Sequence, residues 1–312
     1  MALPPTLHLG FKINPLCELF GVSTQAFYQK KKHFEKDTIK HLILDFVRLE
    51  RALSPRIGGY KLFLMAKAQF KEDFRMGRDA FYSLLDQYNL KLRQKKRSIR
   101  TTDSTHNYKK YPNIIKSIIL TKCNQVWVSD ITYIRTSTGF IYLSLITDLY
   151  SRRIVGWILA PRLKYIYTEQ ALRQAIEQAD TDLSGLIHHS DRGLQYCYPA
   201  YINILKENGI RVSMTETSDP KDNAVAERVN GILKQEWLND IEFKDIEEAE
   251  RLLREKIAYY NDRRPHSSVN YLTPNQAHKH EGEIPRRWVS SKKRYIEKQK
   301  AKKEEENKMK NQ

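Results

Sequence analysis

Residues 126–134 read VWVSDITYI, a run that is apolar on both faces of an extended chain and is broken by one carboxylate, Asp130. Runs apolar on both sides belong to strands covered on both faces, and aspartate is depleted in strands. Burying that charge alone costs on the order of several kcal/mol, so Asp130 has to meet a cation or a hydrogen-bond network. A second aspartate, Asp191, follows the strand-like LIHH of residues 186–189 and begins a turn closed by Gly193. That is the carboxyl end of a strand, where open α/β sheets place their ligands.

A third acid, Glu227, falls on a predicted helix for which Asp222 or Asn223 serves as N-cap. At helical spacing Val225, Val229, Ile232 and Leu233 form an apolar stripe, and Glu227, Asn230, Gly231 and Lys234 share the opposite face. One side packs, and the other presents an acid, an amide, a bare backbone and an ammonium. Three carboxylates without a cysteine or histidine cluster suit a hard cation with oxygen ligands, Mg²⁺ or Mn²⁺ in place of zinc. Magnesium keeps waters and takes one or two carboxylates plus phosphate oxygens, so a three-acid site fits two ions about 3.5 to 4 Å apart.

The charge distribution points to a phosphate polymer. Net charge is +17, with 23 basic and 10 acidic residues over 1–120, 20 and 23 over 121–284, and 11 and 4 over 285–312. Basic segments thus flank an acidic middle that holds the three candidate ligands, which fits a polyanion gripped outside the site and cut inside it. The first ten residues, MALPPTLHLG, lack the features of a signal peptide and no apolar run has the length of a membrane span, so a cytoplasmic protein with no membrane partner is expected, on the nucleoid when bound to DNA. Cys17, Cys123 and Cys197 are odd in number and far apart, and read as ordinary thiols.

Four segments follow from composition and pattern. Residues 1–95 read as a helical DNA-binding region, with a short helix from Asn14-Pro15, a turn at Gly21 and a second helix, TQAFYQKKK, capped by Ser23. This looks like a helix-turn-helix near residues 14–32, whose second helix offers Gln25, Tyr28, Lys30 and Lys31 to bases or phosphates. Three further helices are predicted over residues 37–90, interrupted at Ser54-Pro55 and Gly58-Gly59. Residues 96–120 read as a basic linker; Lys95, Lys96 and Arg97 are positioned to lie along a phosphate backbone. Residues 121–284 carry strands at 126–134, 140–147 and 152–159 in an antiparallel meander, a helix at 168–180, the strand LIHH, a helix after Pro199, the strand IRVSM, the Glu227 helix and a last helix at 245–260. The order describes a mixed α/β sheet of five strands with flanking helices, and residues 285–312 form a basic tail. His188 and His189 read as structural, and Asp148 as a cap. Asn223 caps its helix or touches DNA, and Asn230 is expected on DNA; Arg263, Arg264 and His266 bind phosphate or tie the last helix to the core.

Together these motifs resemble bacterial insertion-sequence transposases of the OrfB type. The carriers are W-x-x-D-I-T-Y-I from Trp127, D-L-Y-S-R-R-I-V-G-W from Asp148, H-x-D-R-G-x-Q-Y from His189, D-N-A-x-x-E-R-x-N-x-x-L-K-x-E from Asp222, and Y-N-x-R-R-P-H from Tyr260. Thirty-five residues lie between Asp191 and Glu227, the spacing of the DD(35)E signature. The resemblance implies a retroviral-integrase-like catalytic core of the RNase H-like fold. It implies two ions, Mg²⁺ or Mn²⁺, on Asp130, Asp191 and Glu227, and Lys234 on the transposon end. It implies double-stranded DNA partners, the terminal inverted repeats and the target, and a homodimer or larger oligomer on DNA. An upstream OrfA product is a further expected partner. Its leucine-zipper segment is not in this sequence, so the chain is one half of a frameshifted product or a complete shorter member. The expected reaction is metal-dependent hydrolysis and strand transfer at the element's ends; the alternatives are an RNase H-like nuclease or resolvase that does not join strands, and a DNA-binding regulator with an inactive core.

Overall fold

The computed structural model describes residues 13–92, 108–116, 118–137, 139–179, 181–216 and 223–285. The chain divides into two compact units, residues 1–92 and 93–312. Of the basic stretch that gives Lys95, Lys96 and Arg97, and of the basic tail after residue 285, the described residues contain nothing.

The first unit is all helical, with α1 (Ile13–Leu19), α2 (Thr24–Leu53), α3 (Gly59–Phe70) and α4 (Arg78–Gln87). As expected, Ser23 caps α2 by accepting from Ala26 N at 3.1 Å, and the helix stops at Ser54 before Pro55. The two helices expected on either side of residue 37 are one helix of 30 residues. No glycine or proline separates TQAFYQKKK from IKHLILDFVRLERAL, so nothing in the sequence ends the first before the second begins. Ile43, Leu44 and Val47 of α2 join Leu62, Ala66, Phe81, Leu84 and Leu85 in a small core, with Phe63, Phe74 and Phe81 meeting edge to face.

The second unit is built on a five-stranded mixed sheet, β1 (Val126–Thr136), β2 (Gly139–Asp148), β3 (Ile154–Ala160), β4 (Ile187–Ser190) and β5 (Arg211–Met214), in the order β3-β2-β1-β4-β5. β1 pairs antiparallel with β2 and β2 with β3, while β4 runs parallel to β1 and β5 parallel to β4. The meander and central strand expected from the sequence are therefore present, and β1 is the middle strand. On one face lie α5 (Tyr165–Glu177), α6 (Leu194–Cys197) and α7 (Pro199–Glu207), covering Trp127, Ile131 and Ile146. Gly156 of β3 lets α5 approach closely, since a Cβ there would stand 2.4 Å from Ala171 O. On the other face α8 (Ala224–Leu233), continued by a π-helical turn at Lys234–Leu238, sets Ala226 and Val225 against Val126, Val128 and Ile187.

The expected linker ends earlier than residue 120. Ile114, Ile115, Ile118 and Leu120 pack into the same cluster as Val126, and Ile114 N donates to Ser213 Oγ at 3.1 Å. Their apolar side chains gain more from burial than from a place in a hydrated tether. α9 (Ile246–Asp262), capped by Asp245, closes the edge of the sheet. Its Asn261 accepts from Ile154 N and donates to Ile154 O, both at 3.0 Å, supplying β3 with the pair of bonds another strand would give. A last short helix, α10 (Pro274–His278), starts in a capping box of Thr273 and Gln276.

Candidate active site

The parallel register of β1 and β4 places the two aspartates. Val128 stands opposite His189, so Asp130 and Asp191 each lie two residues further along neighbouring parallel strands. Strands pair about 4.8 Å apart, which sets both residues at one end of the β1–β4 pair. Asp130 continues into the part of β1 that pairs only with β2, opposite Leu145. Asp191 leaves β4 into a tight turn, where its Oδ1 accepts from Gly193 N at 2.9 Å. A Cβ on Gly193 would meet that same oxygen at 3.0 Å, so the bare glycine leaves the carboxylate its place.

Helix α8 runs along β1 on the face of Val126 and Val128 and brings the third acid. Asn223 Nδ2 donates to Ser129 O at 2.9 Å, Asn230 Nδ2 to Asp130 Oδ2 at 2.9 Å, and Lys234 Nζ to Thr132 Oγ1 at 3.0 Å. Three polar side chains, at the start, in the body and just past the end of α8, thus register it against positions 129, 130 and 132 of one strand. The expected division into a packed and a solvated face holds for Val229, Ile232 and Leu233 but not for Asn230, which is buried with them. Its amide is drawn in by the carboxylate that the strand itself cannot satisfy.

Asp130 feels both of the other acids. Burial raises the Asp130 carboxyl most, followed by the Asp191 charge; the Asn230 hydrogen bond lowers it and Glu227 raises it, with a result of about 7. Among the described residues no three His, Cys, Asp or Glu side chains are gathered tightly enough to hold an ion as they stand. One oxygen of Asp130 is engaged by Asn230. The donor set nonetheless fits a hard divalent cation: all its atoms are oxygens, Asn230 Oδ1 is buried beside Asp130 with no hydrogen bond from the described residues, and the mutual repulsion is what a divalent charge relieves.

The remaining sequence expectations fall in different places. Gln25, Tyr28 and Lys30 are exposed on α2; the side chain of Lys31, with Lys95, Lys96 and Arg97, lies outside the described residues. Lys234 is half-buried, with its ammonium 4.0 Å from the Tyr133 ring centre, and burial lowers its pKa. Asn223 occupies the N-cap position but makes no capping bond and is buried on Ser129 O, so the capping expectation fails and the side chain is turned from the surface.

Of the paired arginines, Arg263 is exposed near the Tyr259 ring, whereas Arg264 is 2% exposed and binds both oxygens of Glu236, at 2.6 and 2.7 Å. Burial would lower its pKa, but Glu236, with Tyr260 and Tyr259, more than offsets this. Arg264 therefore ties the chain after α9 to the π-helical turn, and the phosphate role is excluded by a carboxylate that already fills its fork. Asp148 is a cap, accepting from Ser151 N and Oγ and from Asn124 N. His188 is structural: it lies between Ser129 Oγ and Tyr201 Oη, and burial, then His189, lower its pKa to about 3. His189 meets Ser213 Oγ at 2.8 Å. The Asn230 and Glu236 partnerships were not legible in the sequence, although both residues lie within two helical turns of Glu227 or just beyond.

Two family models, both described as integrase core domain, match residues 121–220 and 208–274. The insertion element IS600 uncharacterized 31 kDa protein of Shigella sonnei is 33% identical over 264 residues, spanning 83% of this chain and 96% of that protein. The transposase for insertion sequence element IS629 of Shigella sonnei is 28% identical, over 89% of this chain and 95% of that one. Among solved structures, the HTLV-2 integrase catalytic core domain in complex with magnesium is 18% identical, with a TM-score of 0.41 over 50% of this chain and 97% of that one. The chain belongs to the insertion-sequence transposases, DNA-transposing polynucleotidyl transferases with an integrase core domain.

Proposed function

We propose that Asp130, Asp191 and Glu227 are the catalytic carboxylates of this transposase and hold two divalent ions, magnesium or manganese, at the ends of its insertion sequence. The observation that carries this reading is the register: Asp130 and Asp191 lie two residues past the same pair on adjacent parallel strands, and α8 is bonded to β1 at Asp130 itself. When bound, such a pair of ions activates the attacking oxygen and neutralises the charge that develops on the departing one. Asn230 orients Asp130, and the Gly193 N–H orients Asp191. Lys234 meets a phosphate of the element end, and the exposed Gln25, Tyr28 and Lys30 of α2 meet the inverted repeat.

The reaction has two steps of one kind. Water attacks a phosphodiester at the element's end; the P–O3′ bond breaks and a 3′-hydroxyl is freed. That hydroxyl attacks a second phosphodiester, forming one P–O bond as another breaks, so the number of ester bonds is conserved and no ATP is required. No protein nucleophile takes part. Two ends demand at least two copies of the chain on DNA, with an upstream OrfA product as a further partner.

The test incubates purified chain with an end-sequence duplex, a target plasmid and magnesium. Joined products that vanish in Asp130→Asn, Asp191→Asn and Glu227→Gln support the reading. Cleavage without joining assigns a nuclease, and activity that survives all three substitutions removes the carboxylates from the chemistry.

A further inference from the structure

The β1–β2 hairpin carries two aromatic side chains beyond the acids that the reaction above does not use. Three residues past Asp130 stands Tyr133, and its diagonal neighbour on β2 is Phe140. The two rings meet edge to face with centroids 5.3 Å apart. Both are open to solvent, Tyr133 at 41% and Phe140 at 49%. Two cations flank them. Arg135 is exposed directly across from Phe140, and Lys234 Nζ lies 4.0 Å from the Tyr133 ring centre while bonded to Thr132.

The surface is also held in place. Ser137 N donates to Phe243 O at 2.9 Å and Ser137 Oγ to Lys244 O at 3.2 Å, so the hairpin tip is pinned to the segment before α9. A single exposed aromatic needs no explanation. A pair of rings, fixed on a strand pair and bracketed by an ammonium and a guanidinium, has the composition with which proteins hold unstacked bases: rings take the base faces and cations take the flanking phosphates.

We propose that Tyr133 and Phe140 form a stacking platform for an unpaired nucleobase of the DNA strand that enters the site, with Lys234 and Arg135 on its phosphates. The strand rise puts Tyr133 about 10 Å from Asp130 along β1, and the odd offset turns it to the opposite face of the strand, so Lys234, bonded to Thr132 and lying over the Tyr133 ring, is what joins the platform to the face of the acids. The assignment of the held base to the neighbourhood of the cleaved phosphate rests on the catalytic reading above, but base binding itself does not require chemistry.

The full chain is titrated, in EDTA, into fluorescein-labelled oligothymidine of roughly 20 nucleotides and, separately, into a duplex of equal length, and anisotropy is read. Tyr133→Leu and Phe140→Leu are each expected to weaken oligothymidine binding at least about fivefold, with duplex binding within about twofold and Tyr133→Trp restoring the wild-type value. Irradiation of oligothymidine carrying 5-iododeoxyuridine is expected to leave an adduct on Tyr133 or Phe140. Unchanged oligothymidine binding, an equal loss on both DNAs, or adducts elsewhere only would overturn the platform. A loss of self-association with oligothymidine binding intact would overturn it too, and would assign the rings to a contact between copies. Asp130→Asn separates the two readings: strand transfer that survives this substitution sinks the catalytic assignment and leaves the platform standing.

Discussion

Asn230 donates its side-chain amide to Asp130 Oδ2 at 2.9 Å across 100 residues of sequence, and this bond fixes the helix that carries Glu227 against the strand that carries Asp130. Asn230→Ala removes the donor and leaves Asp130 partly buried with less support. Strand transfer is expected to fall at least about tenfold, with a stability loss of about 1 to 3 kcal/mol in a denaturant titration. Transfer at the wild-type rate would mean that the bond does not position the acid.

Asp130 also sets a pH dependence whose sign is fixed. Its folded pKa of about 7 lies above the ordinary value of 3.8. Below about pH 4 it is protonated in both states; between about 4 and 7 only the folded chain keeps the proton. Its contribution to stability is thus present at low pH and is lost as pH rises through about 7. Asp130→Asn carries no such charge, so in EDTA its Tm should exceed that of the wild type at pH 8 and converge with it near pH 4. A gap that stays constant across this range would show that Asp130 is not strained by its neighbours.

Gly193 donates to Asp191 and leaves room for it. Gly193→Ala keeps the backbone conformation, since the residue is extended at φ −61, but pushes a methyl to 3.0 Å from Asp191 Oδ1. The oxygen has to move, so catalysis is expected to drop about tenfold or more, while Tm stays near that of the wild type. Equal loss of both would make the glycine a packing residue only.

How far the sequence could be read differs between strand and helix. β1 was legible because two-sided apolarity with one aspartate has few structural explanations, and the Asp191 turn because Gly193 closes it. The continuity of α2 is hidden, because polar residues between two amphipathic stretches look like an interruption although no breaker stands there. The partners of Asn230, Asn223 and Arg264 are hidden for a common reason. Each is a polar residue whose partner lies far away in sequence, and periodicity reports only which way a residue points, never what waits there.

Arg264 and Glu236 form a bidentate pair inside the second unit. Arg264→Ala strands a buried carboxylate and is expected to cost about 3 to 5 kcal/mol, while Arg264→Met with Glu236→Gln recovers most of it. Thermal denaturation decides: a single mutant with unchanged Tm and weakened DNA binding would return Arg264 to the phosphate role.

Lys234→Ala should weaken binding to the element end and reduce the slope of log K against log salt by about one. Its magnesium titration should be unchanged. Unaltered affinity and slope would release Lys234 from the DNA.

Convergence of Asp130, Asp191 and Glu227 on divalent metal can be seen by anomalous diffraction from crystals of the chain soaked in manganese. Density is expected between these three side chains, with carboxylate oxygens drawn in to about 2.0 to 2.3 Å. Manganese bound elsewhere, with the three acids left apart at saturating metal, would contradict it.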